Sequence, residues 1–275
     1  MNNYAGTVIK EQIKNFYLIR RLSLYELKSK NKSNYLGMTW EIINPMIQIC
    51  IYWFVFGTIN QRADIEVVPG KDVSYITWLI VGFILWNYFY QSIIAGSKSI
   101  FSRLGMLSKM KFPMSVVPNY VIFSQLYVHL FMLIITIVLL NLAGIYINIY
   151  YLQLIYFIFA TFCLIFSISL ITSTLSTIIR DVHLFINATL RMFLYLSPVL
   201  WPITSIIQNA SIIFIMKLNP LFYLIEGYRA AFFGSGWYFI TNWEYTLYFW
   251  LLVFVLFFIG SSLHVKFRRH FIDYL

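Results

Sequence analysis

Charge is what this 275-residue sequence has least of. Only 11% of its residues are Asp, Glu, Lys or Arg, against about 25% in an average soluble domain. Too few ionisable groups remain to solvate a globular surface, while 60% of the residues are hydrophobic and mean hydropathy is +0.75. The chain therefore reads as an integral membrane protein, a single helical bundle without a separate soluble domain. Cysteine occurs twice, at Cys50 and Cys163, both inside apolar segments, so no disulfide framework is implied. The four histidines, His129, His183, His264 and His270, show no metal-ligand spacing. The first 40 residues lack an uninterrupted apolar core followed by a small-residue cleavage site, so no signal peptide is expected.

Catalytic signatures are also missing. The sequence has no Gly-x-x-x-x-Gly-Lys-Ser/Thr phosphate loop, no Gly-x-Ser-x-Gly and no His-Glu-x-x-His. Its apolar spans lack the paired acids expected of a proton-coupled carrier. If the chain is a pump, its energy comes from another chain, and no cofactor of its own is expected. A membrane-embedded glycosyl or acyl transferase is the competing class, but it needs grouped acid, base or nucleophile residues, and none are grouped here.

What is present is a run of apolar segments. Residues 1–36 are polar and basic, with Ile9, Ile13, Phe16, Tyr17, Leu24 and Leu27 on one helical stripe flanked by Lys10, Lys14, Arg21 and Lys28. That pattern predicts an amphipathic helix lying in the membrane surface. Leu18, Leu22 and Tyr25 form a second face that could pack on protein. Six spans are predicted over residues 37–275, at about 42–59, 73–97, 116–140, 152–178, 183–201 and 245–265. With both termini cytoplasmic, 16 Lys and Arg fall inside and 4 outside (Arg62, Lys71, Lys217 and Arg229), whereas acids divide 5 and 5. This asymmetry is what the positive-inside rule requires. Trp78, Trp201, Trp237 and Trp243 fall near outer ends, as an aromatic belt would place them.

The stretch Leu194–Gly227 organises the rest. Pro198 and Pro202 stop a helix. The apolar run Ile203–Met216 is too short to span. Asn219-Pro220 starts another short helix, with Asn as cap and Pro at its first position. The expectation is a re-entrant hairpin between spans five and six, or an interfacial loop over the bundle. Glu226 and Arg229, three apart, can pair there, as a buried latch or as an exposed pair of little worth.

Three further constellations stand out. Lys98–Phe112 has four bases and no acid, with Ile100, Phe101, Leu104 and Leu107 at helical spacing. It reads as an amphipathic helix that docks a partner, or as a loop that fixes topology. Arg191 lies 11 residues before Pro202, roughly 16 Å along a helix. It either faces a pathway or snorkels. Ser169 and Ser173 share a face of span four, suited to close helix packing or to a lumen lining.

Four blocks in order, Tyr35–Pro45, Lys109–Pro118, Arg180-Asp181 with Ser-Pro-Val-Leu-Trp-Pro, and Asn219–Arg229, resemble the permease subunit of ABC-2 type polysaccharide exporters. Within that family they look most like the permeases that translocate wall teichoic acid in Gram-positive bacteria. O-antigen and capsule permeases share the blocks. The resemblance implies an all-α integral membrane fold of six transmembrane helices with an N-terminal interfacial helix and extracellular gate helices. It implies a plasma-membrane homodimer working with two copies of an ATP-binding subunit, which holds ATP and Mg. The implied substrate is a polymer on an undecaprenyl-diphosphate lipid. Arg20, Arg21, Lys32, Leu36, Gly37 and Trp40 would receive the lipid-diphosphate headgroup. Lys98, Phe101, Arg103, Leu104, Lys109 and Lys111 would couple to the ATPase. Arg191, Phe193, Tyr195, Ser169 and Ser173 would line the channel. Pro198, Trp201, Pro202, Asn219, Pro220, Glu226 and Arg229 would form the extracellular gate.

Overall fold

In hydrocarbon a backbone N–H has no water to bond, so long apolar runs close their hydrogen bonds internally as helices. The computed structural model describes residues 4–30, 32, 34–59, 64–68, 70–109, 112–203, 209–268 and 271. Two short helices come first, α1 (Tyr4–Lys14) and α2 (Phe16–Lys30). A 3-10 turn leads into α3 (Trp40–Tyr52), which widens into a π-helical segment at Trp53–Ile59. Strands β1 (Ile65–Val68) and β2 (Lys71–Val73) pair antiparallel. Then follow α4 (Tyr75–Ser97), α5 (Leu104–Leu107), α6 (Val116–Leu142), α7 (Gln153–Ile178) and α8 (Asp181–Leu196). The chain ends with α9 (Ala210–Lys217), α10 (Pro220–Phe233), α11 (Tyr238–Thr241) and α12 (Trp243–Phe267).

Among the described residues, five helical stretches are long and apolar enough to cross a membrane: Gly37–Ile59, Tyr75–Ser97, Val116–Leu142, Ile149–Ile178 and Trp243–Phe267. The pair α9 and α10, bent by 92°, is the sixth candidate. The expected span over 183–201 is occupied by α8, with 16 residues and about 24 Å at 1.5 Å per residue, and by the turn after it. His183 bonds Ser97 at the end of α4 at 2.7 Å and Tyr75 at the start of α4 bonds the Leu200 carbonyl at 2.9 Å, so the segment runs the length of α4. Its helix stops at Leu196 because Pro198 cannot donate a backbone N–H. α10 starts as its sequence predicts. The Asn219 side chain accepts from the Leu221 N–H at 3.0 Å, and Pro220 stands in the first turn.

The core lies where α4, α7, α10 and α12 meet, with Phe83, Phe157, Tyr223, Phe232 and Phe249 fully buried. Small residues let these helices approach. Ser169 of α7 fills the space beside Gly96 of α4, and Gly260 of α12 lies on Leu170 and Ser167 of α7. His129 of α6 bonds the Tyr228 hydroxyl of α10 at 2.9 Å. On α12, Leu247, Leu251, Phe254 and Phe258 are exposed along one stripe, the face a bilayer would cover.

A second cluster joins the N-terminal helices to the bundle. Ile19 of α2 is buried with Ile100, Leu104, Leu107, Val116, Val117 and Phe271. Glu11 of α1 pairs with Arg268 at 2.7 Å, so the first helix meets the end of the last. Ile9, Ile13, Phe16, Tyr17 and Leu24 stay exposed. Of the second face, Leu22 packs on the cluster, whereas Tyr25 points outward.

Candidate functional site

The polar centre of the fold is Arg229, on α10, with a side chain only 4% exposed. The face of α4 that receives it is built from residues one turn apart. Trp78 lies under the guanidinium with its ring centroid 3.3 Å from Cζ. Gly82 follows four positions later on the same face. A Cβ at Gly82 would come within 2.6 Å of Arg229 Nη2, so a side chain there would have to displace that end of the guanidinium. Arg229 Nη1 donates to Glu226 Oε1 at 2.9 Å, and Nη2 donates to the Val199 carbonyl at 3.3 Å. Nε has no hydrogen-bond partner among the described residues.

That carbonyl belongs to the turn after α8, which is pinned from several sides. Tyr75, one turn before Trp78, donates its hydroxyl to the Leu200 carbonyl at 2.9 Å. Asn219 Nδ2 donates to Ser197 Oγ at 2.8 Å. Trp201 meets Phe56 edge-to-face at 5.4 Å. Pro198, Pro202, Glu226 and Arg229 line a cleft of about 230 Å³ together with Glu66 of β1. The structure thus gathers Pro198, Trp201, Pro202, Asn219, Pro220, Glu226 and Arg229 around one turn. It adds Tyr75, Trp78, Gly82 and Glu66, which sequence reasoning did not place there. Trp78 is not a lipid-facing belt residue, because it is 4% exposed and covered by Arg229. A glycine one turn beyond a tryptophan was the available signal of a close approach.

The five channel candidates separate. Arg191 and Tyr195, four apart, are exposed on one face of α8. Phe193 turns into an apolar cleft with Phe89, Ile93, Leu252 and Leu256. Ser169 and Ser173 are fully buried. Ser169 packs on Gly96, and Ser173 Oγ reaches the Leu170 carbonyl at 3.5 Å. The lumen reading of these two serines is corrected: small side chains here serve the α4–α7 crossing.

Arg20, Arg21 and Lys32 are exposed, as is Leu36, and Trp40 is half-buried at the start of α3. Gly37 adopts φ +50°, the left-handed region where a side chain would be strained. An ion pair between Lys30 and Glu41 at 2.9 Å closes this loop. Beside it runs a groove of about 290 Å³ between Leu27, Met38, Ile42, Tyr127 and Phe131.

The expected single helix over Lys98–Phe112 is a 3-10 turn (Phe101–Arg103) followed by one α-turn, α5. Its apolar face is real but covers the protein's own second cluster, where Leu104 is buried. Phe101 packs edge-to-face on His183 at 5.9 Å. Arg103 pairs with Glu26 of α2 and donates to the Ser99 carbonyl at 3.0 Å. Lys98, Met106 and Lys109 remain exposed. Lys111 and Arg62 lie outside the described residues.

Comparison with known proteins assigns this architecture. Residues 17–233, from within α2 to the end of α10, match the family described as ABC-2 type transporter. An O-antigen export system permease protein RfbA of Klebsiella pneumoniae is 26% identical over 261 residues, covering 94% of this chain and 95% of that protein. A protein of the same description from Myxococcus xanthus is 26% identical over 210 residues, covering 76% of this chain and 77% of its own length. The family match runs through four of the five membrane-length helices and the bent pair, and the chain belongs to the ABC-2 type transporter family.

Proposed function

We propose that this chain is the membrane-spanning permease subunit of an ATP-driven exporter of a lipid-linked polysaccharide of the O-antigen kind. The observation that carries this reading is the near end-to-end likeness to permeases that bear the name O-antigen export. The fold supports a transport role through its outward faces. On α3, Asn44 and Gln48 are exposed, and on α8 so is Arg191. Polar groups facing hydrocarbon are costly and ordinarily meet protein or water. A second copy of the chain, packed against α3 and α8, would enclose them along a pathway. Energy comes from a separate ATP-binding subunit, docked on the basic surface that includes Lys98 and Lys109. The termini and this surface face the cytoplasm of the plasma membrane. The diphosphate headgroup meets Arg20, Arg21 and Lys32 at the mouth beside Gly37, through charge-assisted hydrogen bonds.

Wall teichoic acid is the second reading, favoured by the exposed Arg191 alone, since a guanidinium suits a polyol phosphate. Two measurements test both. Tagged chain purified from its own membranes should carry an ATP-binding protein in equal amount. Its depletion should remove a polymer from the cell surface while the lipid-linked precursor accumulates inside. Chemical analysis of that precursor decides between sugar repeats and polyol phosphate. An unchanged surface polymer with no bound ATPase would end the exporter reading.

A further inference from the structure

Between α9 and the start of α12 lies an open pocket of about 640 Å³, lined by Phe214, Lys217, Trp243, Glu244, Tyr245 and Tyr248. That volume falls within the roughly 300–1,000 Å³ of small-ligand sites. Two hydrogen bonds build the pocket. The Tyr245 hydroxyl donates to the Lys217 carbonyl at 2.6 Å, and the Tyr248 hydroxyl donates to the Leu218 carbonyl at 2.8 Å. The two rings stack with centroids 6.1 Å apart and 24° between their planes. The end of α9 is thereby fixed against the first turns of α12. Lys217, Trp243 and Glu244 are exposed, so the pocket is reached from outside. Neither Lys217 nor Glu244 forms an ion pair with any described residue. Two opposite charges therefore line one pocket and do not neutralise each other.

The place of the pocket points to its occupant. α12 is long and apolar enough to cross a membrane, and Trp243 is its first residue. The pocket thus sits where that helix passes from hydrocarbon to headgroups, the level at which Trp and Tyr are enriched. From Trp243 the exposed stripe Leu247, Leu251, Phe254 and Phe258 continues along the same face, in helical steps of three and four. Phe214 and Ile215 of α9 are exposed beside it. A molecule with a polar head in the pocket and its tails on the stripe is a bilayer lipid. The charges then choose the headgroup. A phosphate takes a charge-assisted hydrogen bond from Lys217, but a headgroup that is only anionic meets repulsion from Glu244. A headgroup that also carries an ammonium satisfies the carboxylate, and the Trp243 ring adds cation–π attraction. We propose that this pocket binds the headgroup of one zwitterionic phospholipid, with its phosphate on Lys217 and its ammonium on Glu244 beside Trp243. The lipid bridges α9 and α12 and braces the bent pair against the bundle. In the orientation proposed above it belongs to the outer leaflet. The inference concerns a bilayer lipid and holds for any exported polymer.

The test titrates the detergent-purified full chain, with its ATPase bound, with dioleoyl phosphatidylethanolamine or dioleoyl phosphatidylglycerol. Retained lipid is counted by native mass spectrometry. The expected result is one phosphatidylethanolamine per chain held about tenfold more tightly than phosphatidylglycerol, a difference of about 1.4 kcal/mol. Glu244→Gln should remove that preference without weakening phosphatidylglycerol, and Lys217→Gln should weaken both lipids. Lys10→Gln changes an exposed base of α1, the helix that meets the other end of α12 through Glu11 and Arg268, and should alter neither. Trp243→Leu should weaken phosphatidylethanolamine alone and serves if the Glu244 variant does not insert. Equal affinity for the two lipids, or a preference that survives both charge removals, would overturn the site. Lipid-linked glycan retained there in place of phospholipid would overturn it as well. A chain that purifies without an ATPase would count against the exporter reading, and the lipid preference would still decide the pocket.

Discussion

The first two membrane-length helices are neighbours in sequence and opposites in surroundings. In its most apolar window Gly37–Ile59 is 11% buried, whereas Tyr75–Ser97 is 67% buried. Both are strongly apolar, so hydropathy does not separate them. The difference lies in what each offers a neighbour. The second helix carries Gly82 and Gly96, which admit Arg229 and Ser169, and Tyr75 and Trp78, which hold the turn after α8. The first carries Asn44, Gln48, Ile47, Ile51 and Phe54 to the outside. The same contrast divides the two arginines of this half. Arg229 is enclosed by an ion pair, a ring and a carbonyl, and Arg191 stands on an open face. One helix is the frame of a protomer and the other is a surface for something else.

The largest expected effect breaks the frame at its tightest point. Gly82→Val places methyl groups against Arg229 Nη2, so the guanidinium must shift off the Val199 carbonyl and the Trp78 ring. Overpacking against a buried side chain costs about 3 kcal/mol at its upper end, enough to lower the amount of folded chain. Ile47→Val on the first helix should change stability by no more than about 0.5 kcal/mol. Size-exclusion profiles of detergent-extracted protein after stepwise heating measure both. Equal profiles would erase the contrast between the helices.

Next comes the latch itself. Glu226→Gln leaves Arg229 buried with a weaker acceptor and, with Glu226 32% exposed, should destabilise by about 1–2 kcal/mol. Removing both charges, with Glu226→Gln and Arg229→Met, should recover part of that loss, since a buried pair contributes little net stability over an apolar replacement. A double variant worse than either single one would show that the Arg229 contacts to Trp78 and Val199 matter more than the charge. Of similar size, Gly96→Ala crowds Ser169 at the α4–α7 crossing and should cost about 1–3 kcal/mol as overpacking. Ser169→Gly in the same chain should relieve it.

Much of this was legible in the sequence. Long uncharged runs gave the five membrane-length helices, and Asn219-Pro220 marked the start of α10 because cap and proline act locally. Facing was not legible. α4 is apolar all round, so its spacing does not say that Trp78 looks inward at an arginine 151 positions later. The stripe of Ile100, Leu104 and Leu107 predicted a contact face correctly but not its owner, which is the chain's own Ile19 and Val117. The π-helical segment Trp53–Ile59 has no pattern of its own, and the short strands β1 and β2 were not expected from the sequence. The regular helix of α8 stops at Leu196, inside the expected span, because Pro198 cannot continue it.

The smallest expected effect on stability carries the most about function. Arg191 is exposed, four residues before the exposed Tyr195, on a helix whose opposite side packs on α4 and α7. With no ion pair to break among the described residues, Arg191→Gln should leave folding within about 0.5 kcal/mol of wild type. Its effect belongs to transport. If two α8 helices face one pathway, each Arg191 presents a cation to the passing polymer. A phosphate-rich polymer would move several-fold more slowly without it, and Arg191→Lys would restore much of the rate by keeping the charge. A neutral polysaccharide would pass the variant almost unchanged. Membrane level and exported polymer must be measured together. Slow export at normal level would place Arg191 in the pathway and argue for phosphate. Normal export at normal level would make it a charge held at the rim. A loss of membrane level with full activity per molecule would show that the exposed face of α8 is an assembly surface, with Arg191 paired across it.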